Sequence, residues 1–285
     1  MKFKYTARKM AALLSILVIL PLSALAEDAT YKAPRAAGSN HPDLNGIWQA
    51  LNEAHYDLEV HMARPAMALR DGPDGPLPAK GVVSLGAVGA VPPGLGVVEG
   101  GKIPYKPEAL AIKKENQEHW LERDPEIKCY LPGVPRATYM PHPMRISQGE
   151  DSIFFSYQYA GAVRDIYSKD PGLALADSWM GQSVASWDGD TLVLDVTGLN
   201  AETWLDRSGN HHSEEMHVVE RYTLMGPNHL QYEATITDPK TYTKPWKISM
   251  PLYRRMEPNV QLLDFNCVEF VEELMYGSLR RTPLD

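Results

Sequence analysis

The chain has 285 residues, with 36 acidic against 28 basic side chains and a formal net charge of −8. A surface of that sign repels nucleic acid and anionic lipid, which leaves small-molecule or protein partners; a small-molecule ligand or substrate is expected, and the oligomeric state stays open. Its 44% hydrophobic content suffices for the core of one domain, and two cysteines are too few for a cysteine zinc cluster.

Residues 1–26 read as a secretory signal peptide. MKFKYTARK is a basic n-region, MAALLSILVILPL an apolar h-region too short to span a bilayer, and Ala24-Leu25-Ala26 a small-x-small cleavage site. Cleavage after Ala26 implies a periplasmic or secreted protein with no stable membrane anchor. It also removes four basic residues, Lys2, Lys4, Arg8 and Lys9, and so takes the net charge from −8 to −12.

Residues 27–125 read as an irregular N-terminal extension. A strand or short helix is expected around Ile47-Trp48-Gln49. Residues 71–105 are Gly- and Pro-rich, and their run GVVSLGAVGAVPPGLGVV suits a long loop, either a lid over a pocket or a poorly ordered insertion. Residues 106–123 form the one expected helix, starting at a proline suited to the first turn and stopping at Asp124-Pro125.

Residues 126–285 read as an antiparallel β-barrel domain. Nine strand-like runs are expected from Met144 onward: MRISQ, DSIFFSYQY, AVRDIYS, QSVASW, TLVLDVTG, HVVERYTLM, HLQYEATIT, KPWKISMPLYRRME and NVQLLDFNCVEF. Short turns such as Asp188-Gly189-Asp190 separate several of them. A meander of that length leaves open edges unless it closes, so the expected fold class is all-β, an up-and-down, lipocalin-like barrel with one helix. A sandwich is the alternative. Cys129 and Cys267 could pair in an oxidising compartment, or remain two buried thiols.

The richest chemistry lies in TWLDRSGNHHSEEMHVVERY, Thr203–Tyr222. It holds three histidines, four carboxylates, two arginines and a tryptophan. Histidine exchanges protons near neutral pH, and a neighbouring carboxylate can orient it as a general base. His212 or His217 is the expected base, with Asp206 or Glu220 orienting it. In the strand from Met216, either Glu220 with Tyr222 or His217 with Arg221 faces a cavity, because side chains alternate. Arg164, Tyr157, Trp179 and Trp204 are candidate substrate contacts: Arg164 for an anionic group, the others as aromatic walls, although each also suits an ion pair or core packing. Zinc on His212, His217 and Asp206 or Glu214 is conceivable, but no HExxH occurs, and no metal is assigned. GxSxG, P-loop and Rossmann glycine patterns are missing too, so no cofactor is expected.

The motifs DLNGIW, LPGVPR, SWDGDTLVLDVTGLN, TWLD, HSE, HVVERY and YTKPW together resemble those of a widespread group of exported bacterial proteins of no settled activity. That resemblance implies export and an all-β barrel, and transfers no catalytic residue. Two departures from the group's pattern are Asp188 in place of a glutamate and KCYLPG in place of a double proline.

The residues thus point to an exported enzyme of lyase, hydratase or isomerase type, moving protons on a small, apolar molecule that is expected to be aromatic. A non-catalytic carrier of an apolar ligand and a metal-dependent hydrolase are the alternatives.

Overall fold

The computed structural model describes residues 31–63, 69–70, 77–78, 91–119 and 123–269. The expected signal peptide and most of the Gly/Pro-rich run lie outside the described residues. Leu69–Arg70, just before that run, and Leu77–Pro78, inside it, form a short antiparallel pair.

Among the described residues, nine strands close a barrel. They are β1 (Gly46–Ala50), β2 (Met144–Gln148), β3 (Ile153–Tyr157), β4 (Val163–Tyr167), β5 (Gln182–Asp188), β6 (Thr191–Thr197), β7 (His217–Gly226), β8 (His229–Thr237) and β9 (Trp246–Arg254). Each strand pairs with its successor, and β1 closes the ring between β2 and β9. The all-β barrel expected from the runs is therefore present, with two differences.

The first is parity. Nine strands cannot alternate direction around a closed ring, so one neighbouring pair must run parallel. That pair is β4–β5, joined through Ile166↔Ser183 and Tyr167↔Val184, and its connection crosses the barrel's length. The barrel is mixed rather than purely antiparallel. The second is membership. NVQLLDFNCVEF forms no strand over its described residues, and the ninth strand is Gly46–Ala50. The barrel thus does not begin at residue 126. Apolar content alone misleads in NVQLLDFNCVEF, because over 259–269 the chain is held by contacts to Gln158, His142, Tyr159 and Cys129 instead of pairing along a strand.

Alternation sets the interior. Along β7, Val218, Glu220, Tyr222 and Leu224 are buried, while His217, Val219, Arg221 and Thr223 are only partly so. Leu192, Leu194 and Val196 from β6, Leu230, Tyr232, Ala234 and Ile236 from β8, and Ile248, Met250 and Leu252 from β9 complete that side of the core. Packing of this kind contributes about 25 cal/mol per Å² of apolar area removed from water.

The connections divide unequally between the two ends. At one end lie tight turns such as Gly189-Asp190 and Pro227-Asn228. The other end gathers the described residues of the β1–β2 connection, the β6–β7 loop and the β8–β9 loop. This loop end also carries α1 (Pro107–Glu118) and the single turn α2 (Arg136–Tyr139). The expected helix is present but shorter than 106–123. Long connections on a rigid scaffold are where binding and catalysis concentrate.

Cys129 and Cys267 are joined by a disulfide, with Cα atoms 5.6 Å apart and 138 residues of separation. It ties the C-terminal tail to the loop end, where Phe265 packs on His142 and Tyr159.

Candidate functional site

The β6–β7 loop is seated by two close backbone approaches. Gly133 has φ 71°, and a Cβ there would come within 2.7 Å of Thr203 Oγ1. Gly209 has φ 79°, and a Cβ there would come within 2.8 Å of Asn116 Cβ in α1. Glycine alone fits these left-handed, crowded positions. Between them Asp206, fully buried, folds the loop around its carboxylate. Oδ1 accepts from the backbone N–H of Ser208 (2.9 Å) and Asn210 (3.3 Å). Oδ2 accepts from Leu58 N–H (2.8 Å) and Asn210 Nδ2 (2.6 Å).

The fold that results presents Arg207 to Glu126. Arg207 Nε and Nη2 donate to the two oxygens of Glu126, each at 2.9 Å, a bidentate fork. Arg136, at the start of α2, donates from Nη2 to Glu126 Oε2 at 2.8 Å and from Nη1 to Asp124 Oδ1 at 3.3 Å. His55, in the turn after β1, places Nε2 3.1 Å from Glu126 Oε2. Glu126 is itself set by an Asx-type turn, its N–H donating to Asp124 Oδ1 at 2.9 Å. Three side chains, His55, Arg136 and Arg207, therefore converge on one carboxylate.

Electrostatics follow from that convergence. Burial pushes the Glu126 carboxyl up, but Arg207, then His55 and Arg136, outweigh it and hold it well below the usual range. Burial lowers the His55 imidazole, Glu126 pulls it back up, and Arg136 and Arg207 lower it further, with a net fall. His55 is therefore neutral at pH 7 and carries one ring proton. The nitrogen facing a carboxylate takes that proton, so Nε2 donates to Glu126 and Nδ1 keeps a bare lone pair. Nδ1 is buried with no hydrogen-bond partner among the described residues, as are Asp124 Oδ2 and Arg136 Nε in the same cluster. Buried polar atoms are nearly always paired, so three such atoms in one cluster mark it out.

His55 also lines a cleft of about 500 Å³. Its walls include Ala50, Leu51, Tyr56, Val91, Pro92 and Pro141, with Gln49, Asn52 and Glu53 as polar members. A mostly apolar cleft with a few polar groups is the usual form of a small-molecule site.

The residues expected from the sequence are dispersed by comparison. His212 is buried, with Nε2 2.6 Å from Thr203 Oγ1 and Nδ1 2.9 Å from the Ser213 carbonyl oxygen. Both of its nitrogens are engaged, and burial lowers its pKa. His217 lies on the outer face, 2.9 Å from Asp195. Asp206 bonds backbone amides and Asn210, and the bonds it makes include neither histidine. Trp204 is buried, bridged to His211, and Trp179 packs on Tyr130 at a 4.5 Å ring separation.

Arg164, Tyr157 and Glu220 do meet, but inside the barrel. Arg164 Nη2 donates to Glu220 Oε2 at 2.7 Å and to Ser183 Oγ at 2.7 Å, and Nη1 donates to Tyr157 Oη at 3.1 Å. The hydroxyls of Tyr222 (3.0 Å) and Tyr232 (2.8 Å) donate to Glu220 Oε1. Burial opposes the charge on Arg164, and Glu220 outweighs it, so its pKa rises. Burial and then Glu220 push both tyrosines well up. Arg164, Glu220, Tyr222 and Tyr232 are at most 3% exposed, and every one is hydrogen-bonded. This is a buried polar cluster inside the barrel in which each named side chain is hydrogen-bonded.

His55, Glu126 and Arg136 were missed because no local pattern links them. The usable signal was weak: charged residues inside the proline-punctuated passage 124–136, where a surface loop would not need them. Among the described residues, no group of three or more His, Cys, Asp or Glu side chains could hold a metal ion. Comparison with protein-family models, with curated proteins and with solved structures finds no match to this chain.

Proposed function

We propose that this protein is an exported enzyme that moves a proton on a small, largely apolar, aromatic molecule, as a lyase, hydratase or isomerase does. His55 Nδ1 is the general base, and Glu126 orients the ring and stabilises the imidazolium that forms. Arg136 and Arg207 keep Glu126 ionised, so that it never competes for the substrate's proton. Proton transfer of this kind contributes about 10²- to 10⁴-fold in rate. The observation that carries the reading is the His55 ring itself: one nitrogen held by a carboxylate, the other buried and bare, in a residue that borders an apolar cleft. The disulfide supports export, because such bonds persist in oxidising compartments.

The test is solvent exchange. A panel of small aromatic ketones with an acidic C–H beside the carbonyl is incubated with the protein in D₂O and followed by proton NMR. The expected result is deuterium uptake above the buffer rate, lost in His55→Gln. Equal uptake by wild type and His55→Gln overturns the base. Binding without any exchange favours a carrier instead.

A further inference from the structure

Asp206 makes its bonds to two of the segments that build this site. Its Oδ2 holds Leu58, three residues beyond His55, and its two oxygens shape the loop that carries Arg207. Directly beside it, Arg207 N–H donates to the His55 carbonyl oxygen at 3.0 Å. The two crossings, Leu58 to Asp206 and Arg207 to His55, stitch the histidine segment to the arginine loop.

We propose that Asp206 is the positioning residue of the His55–Glu126 site and its pH-sensitive clasp: the ionised carboxylate holds the His55 segment against the Arg207 loop, and protonation releases part of that hold. The inference rests on the proton-transfer reading for its function, but not for its geometry. All four groups that Asp206 gathers are N–H donors. A carboxylic acid brings a donor of its own and finds no acceptor among them, so one contact must give way.

The surroundings set when this happens. Burial, and then the negative charge of Asp57, push the Asp206 carboxyl up to about 7, against Asn210, the Leu58 amide and Lys113 of α1. The other titratable groups that feel its charge are Tyr105, Tyr139 and Tyr242. Burial raises all three, and their hydroxyls donate to Asn210 Oδ1, the Leu205 carbonyl and the His211 carbonyl respectively. They stay neutral while Asp206 titrates. Arg207 and Glu126 complete the charged neighbourhood and hold fixed charges across this range.

The test reads His55 directly. Histidine-labelled protein is titrated by NMR, with the His55 signal assigned by its loss in His55→Gln. Wild type is expected to show two inflections at His55, its own and one near pH 7 from Asp206. In Asp206→Asn the second inflection disappears. The His55 pKa then moves up, because a displaced Arg207 no longer opposes protonation. A remote core variant, Leu194→Ala, controls for lost stability and leaves both inflections in place. If Asp206→Asn does not fold, Asn210→Ala removes one donor to the carboxylate and moves the second inflection to higher pH. A His55 titration that is the same in wild type and Asp206→Asn overturns the proposal. That outcome is independent of whether wild type exchanges deuterium, so failure of the clasp and failure of the proton-transfer reading are separately visible.

Discussion

His55 Nε2 lies 3.1 Å from Glu126 Oε2, and the opposite nitrogen of the same ring has no hydrogen-bond partner among the described residues. Two guanidiniums share that carboxylate. The histidine is thus oriented by a group that is itself locked, which is the arrangement that fixes a tautomer and a direction of attack.

Glu126→Gln is predicted to be costly. It removes the carboxylate that Arg136 and Arg207 share, and breaking up a largely buried ion-pair cluster in this way costs on the order of 3 kcal/mol. Urea denaturation reads the loss. His55 then titrates at lower pH than in wild type, since Glu126 no longer pulls its pKa up. A variant as stable as wild type contradicts the convergence described above.

Arg164 and Glu220 are predicted to matter for stability alone. Arg164→Met strands a buried carboxylate and costs about 3–5 kcal/mol, whereas the double variant Arg164→Met/Glu220→Gln costs less than the two single changes added together. Deuterium exchange by whatever fraction remains folded stays at the wild-type rate. Lost exchange in a folded double variant would place the barrel interior in the chemistry.

Stability is predicted to depend on pH through Asp206 with an unusual sign. Its carboxyl is raised from 3.8 to about 7 in the folded state. Between those values the folded chain holds a proton that the unfolded chain has lost. Stability from this group is therefore fully present below about pH 4 and falls as pH rises to 7, by on the order of 4 kcal/mol. Glu126, held low, works in the opposite direction in acid. The difference between wild type and Asp206→Asn isolates the Asp206 part. Denaturation at pH 5 and pH 8 should show wild type losing more than the variant as pH rises; parallel behaviour refutes the shift.

Cys267→Ser is predicted to lower stability by a few kcal/mol, because the bond closes a long loop in the unfolded chain. Reduced wild type should match the variant. Identical stability of the oxidised and reduced forms would mean that the tail contributes nothing.

Much of the barrel was legible in the sequence, and the reasons are local. MRISQ and HLQYEATIT match their strands residue for residue, since alternation and bounding turns define both. The β4–β5 parallel pair was not legible, because parity belongs to the closed ring and to no single strand. β1 was hard to place because its partners, β2 and β9, lie about 100 and 200 residues away. The Thr203–Tyr222 stretch drew attention for its histidines, yet it delivers Arg207 and Asp206 to the site. His217 falls outward by strand alternation, and His212 is consumed by Thr203 and Ser213. The partner of Arg207 is Glu126, 81 residues earlier, which composition and spacing do not connect.

The most direct measurement is the tautomer of His55 at neutral pH, from ¹⁵N NMR of histidine-labelled protein. The prediction is a neutral ring with the proton on Nε2 and a bare Nδ1, a preference weakened in Glu126→Gln. A ring protonated on Nδ1, or on both nitrogens at pH 7, would leave no base in the cleft and contradict the proposed proton transfer.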